Sequence, residues 1–227
     1  MDWQPGEAYL KNLDPFFARL IEAAGPCTLQ PVEQNQYFAA LVRGIISQQV
    51  APQVAEEILT RLAEYFQHNI QPEQFLNAPD GELKLMGLSP QKIGYLRDLS
   101  NRIIENAINL SKLSSMADAD IIRQLTEVRG VGRWTAEMFL ILALGRPNVL
   151  PAEDFGLQKA VKLWHKLDKL PGRRELNVIT ESWQPWRSLA TWYLWGSLPF
   201  LEEPAPKKKE KADLPKKSKP AKKTKRK

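Results

Sequence analysis

Cys27 is the sole cysteine among 227 residues. That excludes a disulfide framework and any zinc or iron–sulfur centre held by several thiolates. His68 and His165 stand alone, without the spacing of a metal-binding pair. No apolar run approaches the roughly 20 residues needed to span a bilayer. The start, Met1-Asp-Trp-Gln-Pro5, lacks a basic-then-apolar signal. These absences describe an intracellular, soluble protein with no membrane partner. Strand-like alternation and internal repeats are absent as well, which leaves helices to build the fold. The excess of positive charge is confined to one end. Residues 203–227 hold 12 Lys/Arg against 3 Asp/Glu, a net +9, so residues 1–202 sit at −3 although the chain totals +6. With Leu214 as its one large apolar side chain, this Lys-rich tail cannot bury enough surface to fold and is expected to be disordered. It reads equally as an attractor for phosphate backbones and as a solubilising or targeting arm. The folded body is therefore 1–202, large enough for one good-sized core or two small lobes.

Helical spacing of apolar residues marks Pro15–Ala24, Tyr37–Gln48, Gln53–Phe66, Ile93–Leu110, Asp118–Val128, Arg133–Leu144, Gly156–Leu167 and Trp186–Trp195. Pro52, Pro72 and Pro79 read as stops, and Ser89-Pro90 as an N-cap followed by proline in the first turn. The expected fold is all-α.

The richest segment is residues 125–140, Leu-Thr-Glu-Val-Arg-Gly-Val-Gly-Arg-Trp-Thr-Ala-Glu-Met-Phe-Leu. It predicts a helix, a turn around Gly130-Val131-Gly132, and a second helix opening at Arg133. With glycines on both sides of Val131, the turn can take backbone angles closed to other residues. The bare N–H groups and the positive dipole end of the second helix make such a turn an anion site suited to phosphate. Residues 150–156, Leu-Pro-Ala-Glu-Asp-Phe-Gly, then place Asp154 at the entrance of the next helix. Asp154 suits a plain N-cap. A carboxylate beside a phosphate grip also suits an enzyme acting on nucleic acid.

Together with Tyr37–Gln49, Met86–Ile93 and Pro185–Ala190, these motifs resemble the helix-hairpin-helix DNA glycosylases. Within that superfamily the chain is most similar to the 3-methyladenine DNA glycosylase II group, in a short form without an amino-terminal β domain. The resemblance implies two helical lobes with a central cleft faced by the hairpin and a Gly/Pro-rich loop plus Asp. Asp154 falls at the catalytic position, with Glu153 as a secondary carboxylate. Trp134 stands where lyase-active members place a lysine nucleophile, so the implied enzyme is monofunctional: it flips an alkylated purine of the 3-methyladenine or 7-methylguanine type out of the duplex and hydrolyses its N-glycosidic bond. Trp134 and Trp195 match pocket tryptophans, whose indole faces would favour cationic bases. Trp186 is a further pocket candidate with core packing as its alternative, and Gly196 replaces a family tyrosine beside the pocket. Gln48 and Gln49 match the segment that fills the gap left by the flipped base. Gly130, Val131, Gly132 and Arg133 would hold phosphate, and Arg129 replaces a usual proline, which would loosen the turn. Arg187 would either support the catalytic loop or form an ion pair. No cofactor is required; backbone carbonyls of Thr126, Val128 and Val131 could hold a monovalent cation. The implied partner is damaged double-stranded DNA, met by a monomer in a bacterial nucleoid or a eukaryotic nucleus. A hairpin protein that only grips DNA, or a glycosylase for another damaged base, remains the alternative.

Overall fold

In the computed structural model, residues 1–201 are described; the tail expected at 203–227 lies outside them. Twelve α-helices and three short 3-10 helices, with no strand, make up the described residues. In order these are α1 (Gln4–Leu13), α2 (Pro15–Ala24), α3 (Tyr37–Ile46), α4 (Pro52–Tyr65), α5 (Pro72–Asn77), α6 (Asp80–Leu85), α7 (Pro90–Ile104), α8 (Asp118–Thr126), α9 (Arg133–Leu142), α10 (Phe155–His165), α11 (Arg173–Ile179) and α12 (Arg187–Leu201).

The prolines open helices rather than close them, which corrects their reading as stops. Pro52 and Pro72 occupy the first turns of α4 and α5, and Pro79 is the N-cap of α6. A fixed φ and a missing N–H cost nothing there, because first-turn N–H groups have no helical partner. Ser89 caps α7 as its sequence suggests, its hydroxyl accepting from the Lys92 N–H at 3.2 Å. That helix ends at Ile104, not Leu110. Asn106 turns left-handed (φ 56°), and the chain folds back so that the Ile108 N–H reaches the Arg102 carbonyl at 3.0 Å.

Two separate cores divide the body into the two lobes. The first gathers buried residues of α3 to α9, among them Phe38, Leu41, Ile45, Leu62, Phe75, Leu96, Leu125 and Leu140. The second joins both ends of the folded chain: Trp3, Leu10, Phe17 and Ile21 from α1 and α2 and their approach pack with Leu157, Val161, Leu189 and Leu194 from α10 and α12. The Tyr193 hydroxyl donates to Glu7 at 2.8 Å, with the Gly25 carbonyl 3.0 Å away as an alternative acceptor, tying α12 to the amino-terminal pair. Burial and the Glu7 carboxylate push the Tyr193 phenol well above its ordinary pKa, so it stays a donor.

The crossing between lobes is short and pinned. Val149 belongs to the first core and Ala152 to the second. The buried Ser188 hydroxyl accepts from the Val149 N–H at 3.0 Å, and the Ser188 N–H donates to the Pro147 carbonyl at 2.9 Å. Asp154 follows immediately, so the start of α12 holds the carboxylate's loop in place. Ser188 was legible as part of Pro-Trp-Arg-Ser but not as its working residue. Arg187, by contrast, donates to the Thr180 and Asn177 carbonyls and so caps the end of α11. It neither supports the loop nor forms an ion pair among the described residues.

Candidate active site

Asp154 lies between the lobes, half-buried, as N-cap of α10. Its Oδ1 accepts the Leu157 N–H at 2.7 Å. The same oxygen accepts the indole N–H of Trp195 at 2.8 Å, and Oδ2 accepts that of Trp134 at 3.0 Å. One indole comes from the first turn of α9, the other from α12, which packs into the second core while Trp195 itself reaches the first. The carboxylate is thus clasped from both lobes by N–H donors. Three donors fix its orientation, and Oδ2 keeps a free lone pair. Gly156 makes the clasp possible. A Cβ there would stand 3.2 Å from both Asp154 Oδ1 and Trp195 Cδ1. Sequence reasoning passed over this residue; the close approach that requires glycine involves a side chain from 39 positions further along.

Trp186 does not join the clasp. Its ring meets Trp3 edge-on at 6.4 Å and lies against Gly6, where a Cβ would come within 2.6 Å of it. That corrects its placement in the base pocket: it is packing of the second core. Beside Trp134, the exposed face of α3 and α9 forms a largely apolar cavity of about 520 Å³, with Gly44, Ser47, Trp134 and Met138 on its walls. Phe155, next to the carboxylate, is 63% exposed, an aromatic face without a protein partner of matching size.

The hairpin presents its N–H groups as the glycines suggest, with corrections. Gly130 alone needs glycine's freedom (φ 77°); Gly132 is ordinary extended backbone at φ −84°, ψ 172°. The Val131 N–H is committed to the Val128 carbonyl at 3.0 Å, so Val131 has no donor left for phosphate. The Arg129 N–H, present because proline is absent, donates to Asp98 at 2.8 Å. This bond ties the turn to α7 and uses the N–H that proline would have removed. Helix α9 has no side-chain cap. The N–H groups of Gly130, Gly132, Arg133, Trp134 and Thr135 meet no acceptor among the described residues and converge where the helix dipole is positive.

Gln48 and Gln49 part company. Gln48 Nε2 donates to the Gly130 carbonyl at 2.9 Å and to Thr135 Oγ1 at 3.0 Å, making it a strut between α3 and the hairpin rather than a free plug. Gln49 is exposed, sits at φ 56°, and its side chain makes no hydrogen bond among the described residues. It borders a second cavity of about 460 Å³ with Gln91, Lys92, Tyr95 and Gly130. Lys92 sets this corner: its Nζ donates to the Ile46 carbonyl at 2.6 Å and the Gln48 carbonyl at 3.0 Å, closing α3 two residues earlier than expected. Burial lowers the Lys92 pKa. Lys92 was visible in Met86–Ile93, yet nothing local announces that it reaches across to α3.

An all-α body with an uncapped hairpin helix, and a carboxylate held between two lobes beneath it, defines a hairpin-type nucleic-acid enzyme. A family model described as HhH-GPD superfamily base excision DNA repair protein matches residues 42–187, and the chain belongs to that family. It is 27% identical over 198 residues to the alkylbase DNA glycosidase-like protein mag2 of Schizosaccharomyces pombe, covering 86% of this chain and 93% of that one. The fold is similar to the S. pombe 3-methyladenine DNA glycosylase Mag1 in complex with abasic DNA (28% identity, 85% of this chain and 96% of that chain, TM-score 0.77). It is similar also to a DNA-3-methyladenine glycosidase of Bacillus halodurans (30% identity, 85% and 88%, TM-score 0.72).

Proposed function

We propose that this protein is a monofunctional DNA glycosylase that flips alkylated purines of the 3-methyladenine or 7-methylguanine type out of duplex DNA and hydrolyses their N-glycosidic bonds. The observation that carries this reading is the clasp itself: one carboxylate, Asp154, accepting the indole N–H groups of Trp134 and Trp195 beside an uncapped helix entrance. As the base departs, positive charge develops on the sugar, and a fixed carboxylate stabilises it without reorganising. Water completes the reaction, oriented by the free lone pair on Oδ2. The indole faces and the apolar cavity beside Trp134 receive the extruded base, and cationic purines gain from aromatic faces what neutral ones do not. The free N–H groups of residues 130 and 132–135 hold the phosphate backbone, while Gln49 enters the gap the base leaves. The mag2 and Mag1 relatives support alkylated bases as substrates, and no membrane-spanning helix occurs among the described residues.

The hairpin carbonyls also fit a monovalent cation. Those of Thr126 and Val131 accept no hydrogen bond among the described residues, and that of Val128 accepts only one. Neutral oxygens of this kind suit a hard cation, which would neutralise phosphate charge at the turn.

The test is a base-release assay on methylated DNA, with the released bases identified. Release of 3-methyladenine or 7-methylguanine is expected; release of neither, with DNA binding intact, would leave a hairpin protein that only grips DNA. The product is expected to be an unbroken strand with an abasic site, cleaved only on later alkaline treatment, because Trp134 offers no amine for a Schiff base. Borohydride trapping of a covalent protein–DNA adduct would contradict this. The basic tail contributes to affinity, not chemistry: removing residues 203–227 deletes a net +9, so binding should weaken and its salt dependence become shallower while the rate at saturating protein holds. An unchanged salt slope would exclude the tail from DNA binding.

A further inference from the structure

Glu137 is the one acidic residue buried in the hairpin helix, 1% exposed on the second turn of α9. Its Oε1 accepts from Arg133 Nε at 2.8 Å and, more loosely, from Arg173 Nη1 at 3.5 Å. Its Oε2 is buried with no partner. Burial pushes the carboxyl pKa upward, and the hydrogen bond from Arg133 and the charge of Arg173 draw it back. A carboxylate in such a position is costly unless paired, so both guanidiniums are held to it. Each leads somewhere. Arg133 opens α9 beside the free N–H groups of the turn, its side chain half exposed. Arg173, at the start of α11, donates through Nη2 to Glu153 at 3.0 Å, and Glu153 is the chain neighbour of Asp154. Helix α9 therefore meets the catalytic loop twice: through Trp134 to Asp154 directly, and through Glu137 and Arg173 to Glu153.

We propose that Glu137 is a positioning residue, a buried hub that fixes Arg133 at the phosphate grip and, through Arg173 and Glu153, fixes the loop that carries Asp154. The proposal rests on the glycosylase reading. Glu153 is then a tether for Asp154 rather than a second catalytic carboxylate, and Arg173 acts on rate while Arg133 acts on affinity. An exposed pair such as Arg173–Glu153 adds little stability by itself. Its consequence is geometric: small displacements of a catalytic group cost rates of order tenfold to a hundredfold.

Five full-length variants separate the two arms, each read by single-turnover base release at saturating protein, by affinity for abasic-site DNA, and by thermal unfolding. Arg173→Gln is expected to lower the rate about tenfold with affinity unchanged, and Arg173→Lys to recover part of it. Arg133→Gln is expected to weaken affinity about tenfold and to lower the saturated rate less than Arg173→Gln does. Glu137→Gln, which keeps the shape but removes the charge, is expected to do both. Glu153→Gln combined with Arg173→Gln should be no slower than Arg173→Gln alone, because both cut the same tether. A folded Glu137→Gln protein within twofold of wild type in rate and affinity would overturn the hub, and so would an Arg173→Gln protein that loses thermal stability but keeps its rate. Should the wild-type protein release no alkylated base, the glycosylase reading fails instead. The affinities of the Arg133→Gln and Glu137→Gln proteins then still decide the grip arm, and unchanged affinity in both would overturn it.

Discussion

Replacing Asp154 with asparagine is expected to abolish measurable base release while leaving affinity for abasic-site DNA within a few-fold of wild type. In the proposed reaction the carboxylate acts on charge that exists only as the glycosidic bond breaks, so removing it should raise the barrier without loosening ground-state grip. Loss of a preorganised electrostatic contact of this kind costs roughly 10²–10³ in rate. Here the cost is compounded by geometry. All three donors around Asp154 are N–H groups: Leu157 backbone and Trp195 indole on Oδ1, Trp134 indole on Oδ2. An amide can offer its oxygen to one side only, and its NH₂ then faces an N–H donor. Either the Trp134 contact is lost, or the α10 cap and the Trp195 contact are lost together, at about 1 kcal/mol of stability for the cap. Single-turnover assays on methylated DNA, with abasic-DNA binding as the control, measure both effects. A rate within about tenfold of wild type, roughly 1.4 kcal/mol of barrier, would remove Asp154 from the chemistry.

That Asp154 could be placed at a helix entrance from sequence while other features could not be placed has a physical reason. The hairpin, the helix entrance at Asp154 and most helices of the first core are written locally: glycine spacing, a capping residue, and apolar residues every three or four positions. Features set by distant contacts are silent. Helix α1 hides behind Pro5 and Gly6, residues that argue against a helix, because the glycine is needed for Trp186 to pack across it from the far end of the chain. The same contact decides whether Trp186 is pocket or core, and nothing near position 186 reveals it. Helices α5 and α6 are six residues each, too short for a period to declare itself. Glu137 reads as an ordinary surface acid within Thr-Ala-Glu-Met; its burial and its partner Arg173 lie 36 positions apart. Gln48 and Gln49 read alike, and only the backbone turn between them, left-handed at Gln49, sends one to the hairpin and the other to solvent.

The two hairpin glycines, which look interchangeable in Gly-Val-Gly, are expected to fail in opposite ways when replaced by alanine. Gly130 has φ 77°, and a Cβ there would fall 2.1 Å from the ring of Tyr95. The Tyr95 hydroxyl accepts from the Gln91 amide one turn earlier on α7, a contact that moving the ring would break. Gly130→Ala therefore combines a left-handed backbone with a hard clash, and a destabilisation of about 2–4 kcal/mol is expected. Gly132 has φ −84°, and a Cβ there meets nothing within 4 Å. Gly132→Ala should leave unfolding within about 0.5 kcal/mol of wild type, as for an open surface site. That open space, however, is at the entrance of α9, beside the free N–H of Gly132, where the proposed phosphate grip lies. A methyl group there keeps the oxygen from its donors. Affinity for abasic-site DNA should fall about tenfold, the equivalent of one or two charge-assisted hydrogen bonds. Thermal unfolding and DNA binding measured on both proteins give the crossed result. If Gly132→Ala binds DNA as wild type does, phosphate does not approach from that side, and the grip must lie on the Gln49 face of the turn.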